Sequence, residues 1–200
     1  MNALGLRAMM LGCALGLGLI GSGTAADEQK VELKVGDPAP GFDTRDDQNK
    51  PWSSADHYGK KWVVVYFYPG DFTPGCTAQA KAFKEGMNKL TAKGVEVVGV
   101  SGDSVKSHDL FKKAQLLNFT LLSDEAGGVA RKFGVPFGKG GKVRAKDAGG
   151  NLIEVERAGT AARWTFVVGK DGKIAYKNTK VVPADDAKKI TAFVTEAGEK

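Results

Sequence analysis

Val63-Val64-Val65-Tyr66-Phe67-Tyr68-Pro69-Gly70-Asp71-Phe72-Thr73-Pro74-Gly75-Cys76 decides how the rest of the chain is read. Its first half is a run of β-branched and aromatic residues, the composition of a buried strand. Its second half ends in Thr-Pro-Gly-Cys, which reads as the opening of a helix. Thr73 can cap that helix, and Pro74 suits the first helical position, where no backbone N–H is needed. Cys76 then falls in the first turn, beside the partial positive charge of the helix end, where a thiolate is favoured over a thiol. Thr73 stands three residues before the sulfur, so its hydroxyl and the first backbone N–H groups can converge on one spot. Pro69 precedes the loop and can shield that spot from water. A lone cysteine at a strand-to-helix turn is a candidate nucleophile.

Outward from this stretch the chain alternates. A helix is predicted from Pro74 to about Ala92, because Cys76, Ala80, Phe83, Met87 and Leu90 recur at spacings of four and three and share one face. Gly94 stops it. Val95–Ser101 reads as a second core strand. Asp103 or Ser104 caps a helix running to about Leu117, with Val105, Phe111 and Ala114 inward. Phe119–Leu122 is a short strand, and Asp124 caps a helix over Glu125–Phe133 that Gly134 closes. Gly138–Gly159, rich in glycine and poor in apolar residues, reads as a mobile excursion with one strand at Leu152–Glu156. Trp164–Val168 and Lys173–Tyr176 flank an Asp171-Gly172 turn, a strong hairpin signal. Ala184–Ala197 is a terminal helix with Ile190, Phe193 and Val194 inward. On the N-terminal side, a short hairpin is expected over Phe42–Trp52 and a short helix over Ser53–Tyr58. Strands alternating with helices give an α/β fold with a parallel core, and the hairpin adds antiparallel strands at one side.

The chain has 200 residues, enough for one domain with its own core. Residues 1–26 read as a leader rather than as part of it. Arg7 is the only charge before Asp27, Ala8–Ile20 is an apolar run rich in Leu and Gly, and Gly21–Ala26 is small-residue sequence suited to cleavage. That is the layout of a secretory signal peptide, and the apolar run falls short of the roughly 20 residues that span a bilayer. The expectation is export, most simply to a periplasm, with residues 27–200 forming one domain. Cys13 leaves with the leader, so Cys76 has no internal disulfide partner. The formal net charge of +6 is spread among 23 acidic residues. Without basic runs interleaved with aromatics, it argues for solubility, not for nucleic-acid binding or stable membrane association.

Arg163 lies far along the chain, in Ala161-Ala162-Arg163-Trp164-Thr165-Phe166, just before a strand. A guanidinium brought to Cys76 would stabilise a thiolate and polarise an oxygen substrate. Here the sequence resembles a known family. Pro69-x-x-x-Thr73-x-x-Cys76 within Tyr66-Phe67-Tyr68-Pro69, followed by Thr77, is similar to the peroxiredoxin active site. The branch it resembles is that of the bacterioferritin comigratory protein, or peroxiredoxin Q. Arg163 before Thr165-Phe166-Val167-Val168, with Asp171-Gly172-Lys173-Ile174, resembles the family's distal arginine and hairpin. The resemblance spans nearly all of residues 35–200. It implies a thioredoxin-like fold with the peroxiredoxin N-terminal elaboration, a central mixed sheet flanked by helices. It also implies a peroxide substrate and no metal, haem, flavin or other cofactor. By the same resemblance Cys76 attacks the O–O bond, Thr73 orients the peroxide, Pro69 excludes water, and Arg163 holds the thiolate and stabilises charge as the bond breaks.

One position departs from the pattern. Many members of this branch carry a resolving cysteine five residues after the first, where this chain has Lys81. Five residues is about 140° around a helix, so Lys81 should face away from the Cys76 stripe. A one-cysteine cycle follows, with resolution by an external thiol: a thioredoxin-like protein, a glutaredoxin-like protein or a small thiol. A monomer or weak dimer is expected, since another subunit's Cys76 could also serve. The competing enzyme, a thioredoxin-like disulfide reductase, needs Cys-x-x-Cys, and Thr73 occupies the first of those positions. A non-enzymatic redox sensor has no need of Thr73, Pro69 and Arg163 together. His57 and His108 are isolated and read as loop or surface histidines. Gly138-Lys139-Gly140-Gly141-Lys142 reads as a flexible basic loop, not a phosphate-binding one. Asp46-Asp47 and Asp185-Asp186 read as solvated turns, and Phe72 as core that borders the peroxide pocket.

Overall fold

A computed structural model describes residues 31–198. The apolar run becomes β3 (Trp62–Phe67), the centre of a seven-stranded sheet. Around it lie β1 (Asp43–Asp46), β2 (Pro51–Ser53), β4 (Val95–Ser101), β5 (Thr120–Ser123), β8 (Trp164–Val168) and β9 (Ile174–Asn178), in the order β2-β1-β5-β4-β3-β8-β9. β3, β4 and β5 run parallel, and β1, β2, β8 and β9 join antiparallel at the two sides. Both faces of the middle are covered, which is why β3 reads as one continuous apolar run instead of an alternating one. Val64, Tyr66 and Tyr68 enter the cluster formed by α1 (Pro74–Ala92), α2 (Val105–Gln115) and α4 (Asp186–Gly198). Val63, Val65 and Phe67 enter the opposite cluster with Phe42, Trp52, Phe133 and Phe166.

The helix faces follow from their spacing. Cys76, Ala80, Phe83, Met87 and Leu90 of α1 all point into the first cluster, against Ala187, Ile190 and Val194 of α4. Phe83 is fully buried and stacks on Tyr66 at 4.8 Å; burying a ring of this kind stabilises by about 1.5–3 kcal/mol. The N-terminal hairpin forms as expected, as do a short 3-10 turn at Ser54–Asp56 and the β8–β9 hairpin.

Three expectations are corrected. The segment taken as a mobile excursion is a two-stranded antiparallel arm, β6 (Phe137–Lys146) with β7 (Leu152–Ala161). Its low apolar content reflects exposure and not absence of structure. Lys142 stands opposite Glu156 and bonds Glu154, while Asp147 closes the tip by accepting from the Gly149 and Asn151 amides. Second, α3 spans only Gly128–Lys132. Asp124 still caps it, accepting from the amides of Val129 and Ala130 at 3.0 and 2.8 Å, but residues 125–127 form a turn before it. Third, Val105 and Ala114 are half-buried, and the inner face of α2 is Ser107, His108 and Phe111. The proposed leader lies outside the described residues. Among the described residues, no helix is long and apolar enough to cross a membrane.

Candidate functional site

β3 ends at Phe67, and the chain passes through Tyr68 and a short loop, Pro69 to Thr73, into α1. Phe72 takes a left-handed backbone conformation with φ of +61°, which costs a non-glycine residue about 1–2 kcal/mol. Its ring packs on Phe111 at a centroid distance of 5.1 Å. Thr73 is the N-cap of α1 by backbone, its carbonyl accepting from the Thr77 amide. Its hydroxyl does not cap the helix, however. It donates to the Gly70 carbonyl at 3.1 Å, across the loop. Cys76 sits in the first turn as a free cysteine, only 1% exposed. Pro69 and Thr73 are half-buried and hold the loop on either side of Gly70 and Asp71.

Arg163 arrives because β8 pairs antiparallel with β3. Phe67 stands opposite Trp164, so the residue before Trp164 enters the sheet beside the strand end that leads to the loop. Its Nη2 donates to Cys76 Sγ at 3.2 Å, a span of 87 residues in sequence. Its Nη1 donates to Gln79 Oε1. Gln79 is one helical turn past Cys76 and fully buried, and its Nε2 donates to Asp186 Oδ2 at 2.7 Å. The Thr165 hydroxyl donates to the same oxygen at 2.7 Å. A continuous relay thus runs from the sulfur through Arg163 and Gln79 to Asp186. Burial pushes the Asp186 carboxyl above its ordinary value; the hydrogen bonds from Thr165 and Gln79 and the charge of Arg163 pull it back. Asp186 is therefore no solvated turn residue: it is 1% exposed and opens α4 from inside.

A second buried network lies on the other side of the loop. Asp71 is wholly enclosed and accepts at Oδ1 from the Tyr68 hydroxyl at 2.8 Å. At Oδ2 it accepts from Ser107 Oγ at 2.7 Å and from His108 Nδ1 at 2.9 Å. Its amide donates to Asp103 Oδ2, and its carbonyl accepts from Arg157 Nη2, both at 2.9 Å. His108, expected at the surface, is instead fully buried with Nε2 directed at the Leu122 carbonyl, 3.2 Å away. Burial works to lower its pKa, but the Asp71 charge and hydrogen bond, Asp103 and the Leu122 carbonyl together raise it above 6.5. Acceptors at both ring nitrogens favour the imidazolium. Burial, then the Asp71 charge, raises Asp103, against Arg157. Asp47, the other supposedly solvated acid, is buried too; it pairs with Lys112 and accepts from the Leu121 amide.

The sequence reading thus named Cys76, Thr73, Pro69 and Arg163, and the fold brings all four to one end of β3. It missed Gln79, Asp186, Asp71, Asp103, His108 and Arg157. A signal existed for two of them. Gln79 is a polar residue on the inward stripe of α1, and Asp71 lies inside the decisive stretch itself. Lys81 is exposed on α1, whereas Cys76 is buried.

The sequence model of the AhpC/TSA family matches residues 35–177. The chain is 42% identical over 150 residues to the chloroplastic peroxiredoxin Q of Sedum lineare, covering 74% of this chain and 71% of that protein. It spans about half the length of some other plant relatives. Its fold is similar to the crystal structure of peroxidoxin BcpB from Mycobacterium tuberculosis. There the TM-score is 0.68 and the identity 28%, over 82% of this chain and 98% of that one. It is also similar to the bacterioferritin comigratory protein of Xanthomonas campestris, solved in trapped intermediate and ligand complexes that bear on its alkyl peroxide reduction activity. That match has a TM-score of 0.64 and 30% identity, over 80% and 92% of the two chains. The thioredoxin-like mixed sheet flanked by helices is the architecture these structures share. The relatives correct one expectation. The plant proteins are chloroplastic, which overturns the exported, periplasmic location; a charged start and a short apolar run do not by themselves fix a destination.

Proposed function

The chain belongs to the AhpC/TSA family, in its peroxiredoxin Q and bacterioferritin comigratory branch, and from that premise we propose a thiol-dependent peroxidase that works through Cys76 alone. The observation that carries this reading is the Arg163 guanidinium on the Cys76 sulfur at the start of α1. The guanidinium and the first turn of α1 both present N–H donors and positive charge where the sulfur attacks.

The first step forms an S–O bond and breaks the O–O bond. The sulfur gives an electron pair to one peroxide oxygen, the other leaves as hydroxide or alkoxide and takes a proton, and Cys76 becomes a sulfenic acid. Arg163 faces the charge that develops on the leaving oxygen. The Thr73 hydroxyl, now turned to Gly70, is placed to accept from the peroxide, and Pro69 covers the loop against water. Both peroxide oxygens are supplied by the substrate, so the chemistry requires no metal or organic cofactor. Because the sulfur is nearly enclosed, the site suits hydrogen peroxide and slender organic hydroperoxides.

Resolution needs a second thiol, and the only other cysteine in the sequence is Cys13. An external thiol attacks the sulfenic sulfur and releases water. A second thiol then frees Cys76 and leaves as disulfide. A thioredoxin-like protein, a glutaredoxin-like protein or a small thiol can serve, and the working unit is a monomer or weak dimer. The test is peroxide consumption with each of these reductants in turn. Turnover with at least one supports the reading; disulfide reduction without peroxide turnover would replace it with the oxidoreductase.

A further inference from the structure

Within the loop that carries Pro69 and Thr73, one side-chain bond, Thr73 to Gly70, is internal, and the rest of the hold comes from outside. Every polar group of Asp71 is engaged from outside it. The side chain is held by Tyr68, Ser107 and His108, the amide by Asp103, and the carbonyl by Arg157. All of these holders but Tyr68 come from far along the chain, and two of them, His108 and Arg157, carry basic side chains. His108 is on α2, with its far nitrogen on the Leu122 carbonyl of β5. Arg157 is on β7, in the exposed arm, yet its side chain is only 9% exposed because it folds down over the loop.

The approach of Arg157 is very close. A Cβ at Gly70 would lie 2.3 Å from the guanidinium carbon, so any larger residue there would push Arg157 out of its present position. The arm is also seated by backbone. Ala158 N donates to the Gly102 carbonyl at 3.2 Å, and a Cβ at Gly102 would meet the Gly159 carbonyl oxygen at 2.3 Å. Arg157 Nε further lies 3.4 Å from Asp103 Oδ1, so one side chain faces the Asp71 carbonyl and the carboxylate that holds the Asp71 amide.

We propose that Arg157 and His108 are positioning residues for the peroxide reaction, clamping Asp71 from two sides so that Phe72 keeps its left-handed turn and Thr73 stays aligned with Cys76. The β6–β7 arm is then a strut for the catalytic loop. The proposal rests on the peroxidase reading and adds two residues to it, neither of which touches substrate.

The experiment compares two second-order rates at Cys76 in the full chain: oxidation by hydrogen peroxide and alkylation by iodoacetamide. Peroxide reads the aligned loop, whereas alkylation reads thiolate exposure. Arg157→Gln should slow the peroxide reaction about tenfold or more while alkylation stays within about twofold, since small misplacements of reacting groups have effects of this size. Arg157→Lys should recover part of the loss, because one ammonium can serve the Asp71 carbonyl or Asp103 but not both. His108→Gln should repeat the pattern, as its amide can still donate to Asp71 but carries no charge. An unchanged peroxide rate in both Arg157→Gln and His108→Gln overturns the proposal. So does a slower peroxide rate accompanied by faster alkylation, which means the buried thiol has been exposed by local unfolding. A wild-type protein that alkylates but does not react with peroxide overturns the peroxidase reading itself.

Discussion

Two buried polar networks flank the loop from Pro69 to Thr73, and each depends on an arginine from one short stretch of chain, Arg157 in β7 and Arg163 just before β8. The Arg163 network contains the thiol and is incomplete. Arg163 is half-buried, and Asp186 Oδ1 has no hydrogen-bond partner. The Arg157 network contains no thiol and is nearly closed. Both Asp71 oxygens, its amide and its carbonyl are used, and only Arg157 Nε lacks a well-directed bond. Satisfied buried networks rigidify, while partly satisfied ones keep polar capacity for something else. The difference separates the part of the molecule that reacts from the part that holds it still.

Breaking the reactive side should cost the most. Arg163→Ala removes both the donor to sulfur and the charge facing the leaving oxygen, and loss of a donor of this type lowers a rate about 100- to 1000-fold. Stopped-flow oxidation by hydrogen peroxide measures it, and a loss below about tenfold would mean that the guanidinium is only a structural neighbour. Gln79→Ala leaves Arg163 in place but frees its second nitrogen and uncouples Asp186. A fall of about tenfold in the same assay is expected, smaller than for Arg163 because the contact with sulfur survives. Equal losses in the two variants would show that the relay works as a unit and would sharpen the comparison in that direction.

The supporting side should speak through stability and pH. His108 has a folded-state pKa above its ordinary 6.5, so the folded protein binds its proton more tightly than the unfolded chain does. That contribution is whole below about pH 6.5 and is lost as pH rises through the folded value. Unfolding curves of wild type and His108→Gln should therefore show a gap that is largest in mild acid and narrows with rising pH. A gap that widens with pH would mean the histidine is held neutral.

How far the sequence could be read follows the same division. β3, α1, β4 and the closing hairpin were legible because their apolar spacing repeats and their turns carry Gly or Asp-Gly. Cys76, Thr73, Pro69 and Arg163 were legible because they match a pattern of residues with a chemical reason to be together. The arm was misread because two exposed, charged strands have no apolar alternation to show. His108, Asp186 and Asp71 were invisible for a different reason. A polar residue is ordinarily a surface residue, and nothing local in Ser107-His108 or Asp185-Asp186 says that partners from other elements will enclose it. Long-range pairing of buried charges is decided by topology, which puts β5, α2, β7 and the loop at one end of the sheet.

In the proposed cycle a single enclosed thiol takes oxygen from a peroxide and waits for an outside thiol. Treating the reduced protein with one equivalent of hydrogen peroxide, trapping with dimedone and mapping the adduct by mass spectrometry tests it most directly. One adduct on Cys76 is expected, absent in Cys76→Ser and absent when a reducing thiol is added before the trap. Peroxide left unconsumed with Cys76 still a free thiol would contradict the account.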